Sequence, residues 1–506
     1  MTDMVLAIDA GTTGVRSMFF NKNGDVLGKA YSEYKSVHPS PSWVEQDAKS
    51  WWEKSRETIK TAMAKTNLRP ENVVSVSVTN QRETIVPIDE DGTPLRTAIV
   101  WQDRRTVPQC DWILNQMSED EVYAITGLTV DPYFSAPKIL WIKKNEESNF
   151  KKTHKFLLVH DYLVYRLSDM LITDFSNASR TMLFDVRSGV WSERMLDTLG
   201  IPKEKLPTPV EPGVQVGEIT AHASRETGLN EGIPVVAGGG DQQCAALGVG
   251  VVREGMLKST TGTGTFMLAH SKTVRLDPGR RVLCSRHVVP NSFVVEASMF
   301  TTGSALKWFR DNLGSEEKVI ADDKGVDPYD VITEEASKIP AGSEGVIHIP
   351  HFAGAGAPNW NPHARGIFAG LAIGHTRAHI IRSILEGVSY EIRNNIEVMR
   401  ELGLPSREVR VTGGAARSKV WMQIQADIIR TPVIRTQMEE ATAVGAAILA
   451  FKGIGVFKSV AQAAEQMVKT LPPLTPTKET LEVYKKGYNK FRELYSAIST
   501  IRLDAD

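Results

Sequence analysis

Two stretches of the chain share one plan. "VLAIDAGTTGVRSMFF", Val5 to Phe20, reads as a strand, a Gly/Thr turn and a returning strand. "MLKSTTGTGTFMLAH", Met256 to His270, reads the same way in the second half of the chain. The repeat predicts two related halves, each with a β-turn-β hairpin. The first hairpin continues through "NKNGD" into a third strand, Val26 to Ala30, which completes an antiparallel meander. Asp47 to Thr66 then reads as a helix, capped by Asp47, with Ala48, Trp52, Ile59, Ala62 and Met63 near one face. "VVSVSVT", Val73 to Thr79, is β-branched and reads as a further strand. Helices and strands alternate, so the predicted class is α/β. A chain of 506 residues is too long for one core. We therefore expect two domains, 1–249 and 250–506, joined through packed structure because no low-complexity linker separates them. Late in the chain, Arg377 to Leu402 reads as a long helix, with Ile380, Ile381, Ile384, Leu385, Val388, Ile392, Ile396 and Met399 on its apolar side.

Composition narrows the function. Fifty-nine basic against 60 acidic residues leave a formal charge of −1, which argues against a broad nucleic-acid footprint. No run of about 18 apolar residues occurs, so no membrane partner is expected. Cys110, Cys244 and Cys284 are odd in number and widely spaced, which indicates neither a disulfide framework nor a zinc site. Together with an N-terminus that lacks a basic and a long apolar region, this predicts a reducing cytoplasm.

Chemistry concentrates at strand ends. The strand at 73–79 runs into "NQRET", where hydrogen-bonding and charged side chains arrive together at the carboxyl edge of a sheet. That edge is a ligand position; the alternative is a solvated turn with an internal Arg–Glu pair. "DAGTTGVR", Asp9 to Arg16, offers Gly11 for a sharp turn, the hydroxyls of Thr12 and Thr13, the charge of Arg16, and Asp9 for a Mg²⁺ ion. "STTGTGTF", Ser259 to Phe266, is again Gly and Thr, and two such hairpins facing each other would clamp a polyphosphate. "TGGAARS", Thr412 to Ser418, follows a strand and opens a helix, which suits a nucleotide or a plain helix start. In "GGGDQQ", three glycines place Asp241 on an open turn, where it can accept a hydroxyl proton or cap a helix.

These residues resemble the FGGY carbohydrate kinases over nearly the whole length, and within them the members that act on glycerol. "YFSAPKILWIKKN", Tyr133 to Asn145, fits the family's first signature, and "GIFAGLAIGHTRAHIIRSILE", Gly366 to Glu386, fits its second. "NQRET", "VWQDRRT", "SNASRTMLFD", "GDQQ" and "GTGTFM" follow in the family's order. The resemblance implies two duplicated actin-like, ribonuclease H-like ATPase domains with a cleft between them. The first would carry the polyol site and a phosphate hairpin, the second the nucleotide. It implies ATP-dependent phosphorylation of a terminal hydroxyl of a small polyol, glycerol foremost, with erythritol, a ketopentose or an autoinducer-type sugar as alternatives; a non-catalytic nucleotide or sugar sensor is the rival from another class. By carry-over, Arg82, Glu83, Trp101, Tyr133, Asp241, Gln242 and Phe266 bind the polyol, and Asp241 is the general base. Thr12, Thr13, Arg16, Thr263, Gly303, Lys307, Gly414 and Ser418 attend ATP, and Asp9 attends Mg²⁺. Three positions depart from the glycerol-acting members: Ala10, Lys307 and Ser418 stand where those carry Gln, Gln and Asn. The C-terminal half is more similar to xylulose-type and autoinducer-type kinases. A homodimer or homotetramer is compatible with the resemblance.

Overall fold

The computed structural model describes residues 3–501. Its frame is a pair of six-stranded sheets. In the first, Met4–Ala10, Gly14–Asn21 and Val26–Glu33 form the expected antiparallel meander. Val73–Asn80 pairs parallel to Met4–Ala10, and Pro234–Gly240 pairs parallel to Val73–Asn80. In the second, Met256–Thr261, Thr265–Ser271 and Phe293–Met299 are the antiparallel strands. Glu408–Thr412 and then Val433–Arg435 are added in parallel to Met256–Thr261. Both sheets thus share the spatial order third, second, first, fourth, fifth, the duplicated ribonuclease H-like plan that the family resemblance implied. They differ in their extra edge strand. Gln215–Glu218 flanks the fifth strand of the first sheet, whereas Leu283–Arg286 flanks the third strand of the second.

Local sequence explains the layers. Asp47 accepts a hydrogen bond from the Lys49 N–H and caps Ala48–Thr66, and the helix buries Trp51, Trp52, Ile59 and Ala62 on the first sheet. Each such large apolar side chain contributes roughly 1.5–3 kcal/mol when fully buried. Arg377–Glu401 covers the second sheet with Ile381, Ile384, Leu385, Val388, Ile392 and Ile396, all buried. One helix crosses over. Ala441–Gly453, late in the chain, packs Ala443, Val444, Ala447 and Ile448 against Val5, Ala7 and Met18 of the first sheet. There it meets Asp241–Gly248 at very close range. A Cβ on Gly248 would lie 1.8 Å from the Ala441 carbonyl oxygen, and one on Gly445 would lie 2.0 Å from that of Cys244. Glycine at both crossing points lets two helix backbones touch and joins the halves without a tether. Among the described residues no helix is long and apolar enough to cross a membrane.

Candidate active site

The parallel strands of the first sheet deliver the chemistry to one edge. In register, Asp9 stands beside Thr79, and Gly240 beside Asn80. Asp9, the Gln81–Glu83 segment and Asp241 therefore emerge together at the carboxyl end of the sheet. The glycines before Asp241 are not a turn, as the sequence suggested, but extended strand Pro234–Gly240. They are glycine for space. A Cβ on Gly238 would sit 1.8 Å from the Val78 carbonyl oxygen, and one on Gly240 would sit 2.6 Å from Cδ of Arg82. Glu83 holds a left-handed backbone, φ 63°, uncommon for a residue with a side chain. Ser135 of the first signature donates to the Glu83 carbonyl (3.0 Å) and braces that conformation.

Thr12, Arg82, Glu83, Trp101, Tyr133, Asp241, Gln242 and Phe266 line one cavity of about 210 Å³. All seven expected polyol residues meet there. Thr12, expected along the nucleotide, joins them instead, its hydroxyl accepting from the Trp101 indole N–H (3.0 Å). Trp101 and Tyr133 pack edge to face, with ring centroids 5.5 Å apart. The ammonium of buried Lys138 steadies the Tyr133 loop by donating to the carbonyls of Pro132 (2.8 Å), Tyr133 (2.6 Å) and Phe134 (2.8 Å).

The "NQRET" cluster is not a solvated turn. Arg82 and Glu83 are buried and only loosely paired with each other, Nε to Oε1 3.8 Å. Arg82 instead makes a two-pronged bond to Glu296, Nη1 to Oε2 2.8 Å and Nη2 to Oε1 2.9 Å. Arg180 donates from Nε to Oε1 of Glu83 (2.6 Å). Lys258 donates to Oε1 of Gln242. Sequence reasoning assigned no role to Glu296, Arg180 or Lys258. Their signal was a charge inside an apolar strand: Glu296 in "FVVEASM", Lys258 in "MLKSTT". These bonds set the polarity of the cavity. Lys258 has only donors, so it claims the carbonyl of Gln242 and leaves the amide N–H groups free. Arg180 occupies one oxygen of Glu83 and leaves the other as an acceptor. Glu296 occupies both Nη of Arg82 and leaves Nε–H, 3.4 Å from Asp241.

Asp241 opens the helix Asp241–Gly248, and its Oδ1 accepts from the Gln242 N–H (2.6 Å). Burial raises its pKa, Arg82 opposes this and Glu83 reinforces it. Burial likewise raises Asp9 to about 7, with Arg16 opposing and Asp241 adding. Burial lowers Lys258 to about 7 against the pull of Glu296 and Asp241. For Glu296, burial raises the pKa, but Arg180 and Arg82 outweigh it and hold the carboxyl at about 2.

A second cavity, about 310 Å³, lies on the other domain and includes Thr263, Gly303, Lys307, Gly414 and Ser418 in its lining. Gly414 faces open space, whereas a Cβ on Gly303 would fall 2.0 Å from the Gly262 carbonyl oxygen, so the helix start presses on the hairpin turn. Asp327, Tyr329, Asp330, Thr333 and Arg417 also line it and were not foreseen. Thr13 and Arg16 line neither cavity. The Thr13 hydroxyl lies 3.2 Å from that of Tyr31, and the Arg16 guanidinium lies over the Tyr31 ring. Gly11 has no positive φ; its N–H closes the turn on the Gly14 carbonyl (3.0 Å).

Comparison with known proteins finds a match in each half of the chain. Residues 4–248 match the N-terminal domain model of the FGGY family of carbohydrate kinases, and residues 257–454 match its C-terminal domain model. The chain belongs to the FGGY family of carbohydrate kinases. It is an alcohol-acceptor phosphotransferase that uses ATP, as kinases of this family do. Among relatives, glycerol kinase 2 of Thermotoga maritima is 36% identical over 495 residues, 95% of this chain and 97% of that protein. Among solved structures, the xylulose kinase of Rhodospirillum rubrum is 28% identical, covers 98% of this chain and 99% of its own, and superposes with a TM-score of 0.89. The glycerol kinase of Plasmodium falciparum with ADP shares the fold at a TM-score of 0.88, with 24% identity over 100% of this chain and 99% of its own.

Proposed function

We propose that this FGGY kinase phosphorylates a terminal hydroxyl of glycerol, giving sn-glycerol 3-phosphate. The observation that carries the reading is the first cavity. Its acceptors, Asp241 and Glu83, and its donors, Arg82, Gln242 and Tyr133, ring a small space, with Trp101 and Phe266 alongside. A short polyol is hydroxyls on a thin apolar spine, and each hydroxyl both donates and accepts. At about 210 Å³ the space falls below the roughly 300 Å³ where pockets for drug-sized ligands begin.

Asp241 takes the proton of the attacking hydroxyl. Burial raises its pKa against the pull of Arg82, which makes it a stronger base than an ordinary carboxylate. Trp101, Tyr133 and Phe266 exclude water from the hydroxyl. Asp9 suits Mg²⁺. Its carboxylate is half-buried and, among the described residues, receives no hydrogen bond, so a cation would satisfy it. Mg²⁺ is held by one or two carboxylates with water and phosphate oxygens rather than by a protein cage. No cluster of three or more acidic, His or Cys ligands occurs among the described residues, which fits that habit. When bound, the ion neutralises phosphate charge during transfer. Thr263, Gly303 and Gly414 would receive the nucleotide across the cleft. Three buried, unpaired thiols favour a reducing compartment.

ADP release with glycerol, erythritol and xylulose at saturating Mg-ATP tests the assignment. Glycerol should show the highest kcat/KM. A tenfold or greater preference for the four- or five-carbon substrate overturns glycerol and leaves the kinase standing.

A further inference from the structure

Arg82 stands among three carboxylates, and its choice between them decides whether the site can work. It donates both Nη groups to Glu296 at 2.8 and 2.9 Å, while its Nε lies 3.4 Å from Asp241 and 3.8 Å from Glu83. Glu296 comes from the second sheet, on strand Phe293–Met299; Arg82 follows a strand of the first. A guanidinium prefers one carboxylate in its plane, bound through two parallel N–H groups. Glu83 cannot offer that grip, because Arg180 already holds its Oε1 at 2.6 Å. Asp241 is held by no other guanidinium, its Oδ1 accepting from the Gln242 N–H, and its side chain is the most open of the three at 30% exposure. Arg180 adds a push. Its Nη1 lies 3.5 Å from Glu296, so Glu296 also separates two buried cations. Without that carboxylate, Arg82 would be driven from Arg180 towards Asp241.

We propose that Glu296 is a positioning residue: from the second domain it holds Arg82 with Nε–H turned to the polyol and keeps the guanidinium from clamping the base Asp241. Two further contacts hold the same pose. Gln243 accepts from Nη1 of Arg82 at 3.2 Å, and Gly240 leaves room for the Arg82 stem. The polyol site of one domain is therefore complete only when the other domain supplies Glu296. The proposal rests on the reading of Asp241 as the base.

The test is a double-mutant cycle read in kinetic constants. Glu296→Gln keeps the shape and removes the charge. It should raise the polyol KM and lower kcat, with a combined loss on the order of 100-fold, the size that a misplacement of about 1 Å produces. KM for ATP should stay within about twofold, because nothing in the nucleotide cavity is touched. In an Arg82→Gln background the same change should cost nothing further, since Glu296 acts through Arg82. Additive losses, or equal losses in polyol and ATP constants, overturn the proposal. If Glu296→Gln does not fold, Glu296→Asp carries the test. It keeps the charge but shortens the arm, and an unchanged polyol KM would contradict the proposal. Asp241→Asn separates the two readings. If that variant keeps its turnover, the base assignment fails, while the cycle on polyol KM still decides the role of Glu296.

Discussion

The two cavities are built on opposite principles. Around the first cavity, the proposed polyol site, the charges are buried and held: Arg82 by Glu296, Arg180 by Glu83, Lys258 by the Gln242 amide. Around the second cavity, the proposed nucleotide site, they are at the surface. Lys307 pairs with Asp311 at 2.8 Å and Arg417 with Glu439 at 2.8 Å, with the Lys307 and Arg417 side chains 61% and 64% exposed. Ser418 spends its hydroxyl capping a helix, accepting from the Trp421 N–H. A buried ion pair is costly to break because the orphaned charge stays out of water, whereas an exposed pair contributes little. The first cavity is thus preassembled, and the second is adaptable.

That contrast can be attacked in order of expected effect. Asp241→Asn removes the proton acceptor at constant size and should lower kcat about 100- to 10,000-fold, with ATP affinity nearly unchanged. A variant that keeps half its turnover would reduce Asp241 to a helix-starting residue. Next comes stability. Arg82→Met leaves Glu296 only its longer 3.5 Å contact with Arg180 and should destabilise the fold by about 3 kcal/mol, while Arg417→Ala should cost less than about 1 kcal/mol. Urea unfolding of both variants measures the gap, and equal costs would erase the distinction between the cavities. The smallest effect is an acid dependence. The folded pKa of Glu296, about 2, lies below its ordinary 4.5. A carboxyl depressed on folding stabilises above its unfolded pKa and loses that contribution as pH falls through the folded one. The stability difference between the wild type and Glu296→Gln should therefore be full above about pH 5 and shrink between about 4.5 and 2. A difference that does not change across that window would deny the ion pair its role.

Much of this was legible in the chain, for physical reasons. The doubled hairpin predicted the doubled sheet because strand, turn and strand are local. The helix Ala48–Thr66 and its Asp47 cap were legible for the same reason. The residues that line the first cavity were named by the family resemblance, and Arg82, Glu83 and Asp241 also by their place at strand ends, where polar groups need a reason. What escaped was long-range. Arg82 and Glu296 are 214 positions apart, and nothing near either names the other. The internal Arg82–Glu83 pair was the natural local guess, and the second domain overrode it. The glycines before Asp241 were read as a turn because glycine permits one; their reason is the close approach of Val78 and Arg82. The return of Ala441–Gly453 to the first sheet was invisible because an Ala-rich helix suits either core.

The central claim is that the polyol cavity is complete before nucleotide arrives. Titration calorimetry of glycerol into nucleotide-free protein, repeated with a non-hydrolysable ATP analogue and Mg²⁺ present, tests it most directly. A locked site predicts saturable one-to-one binding in both, with dissociation constants within about tenfold, since the ordering cost is already met. Glycerol binding that appears only once the analogue is present would contradict the account.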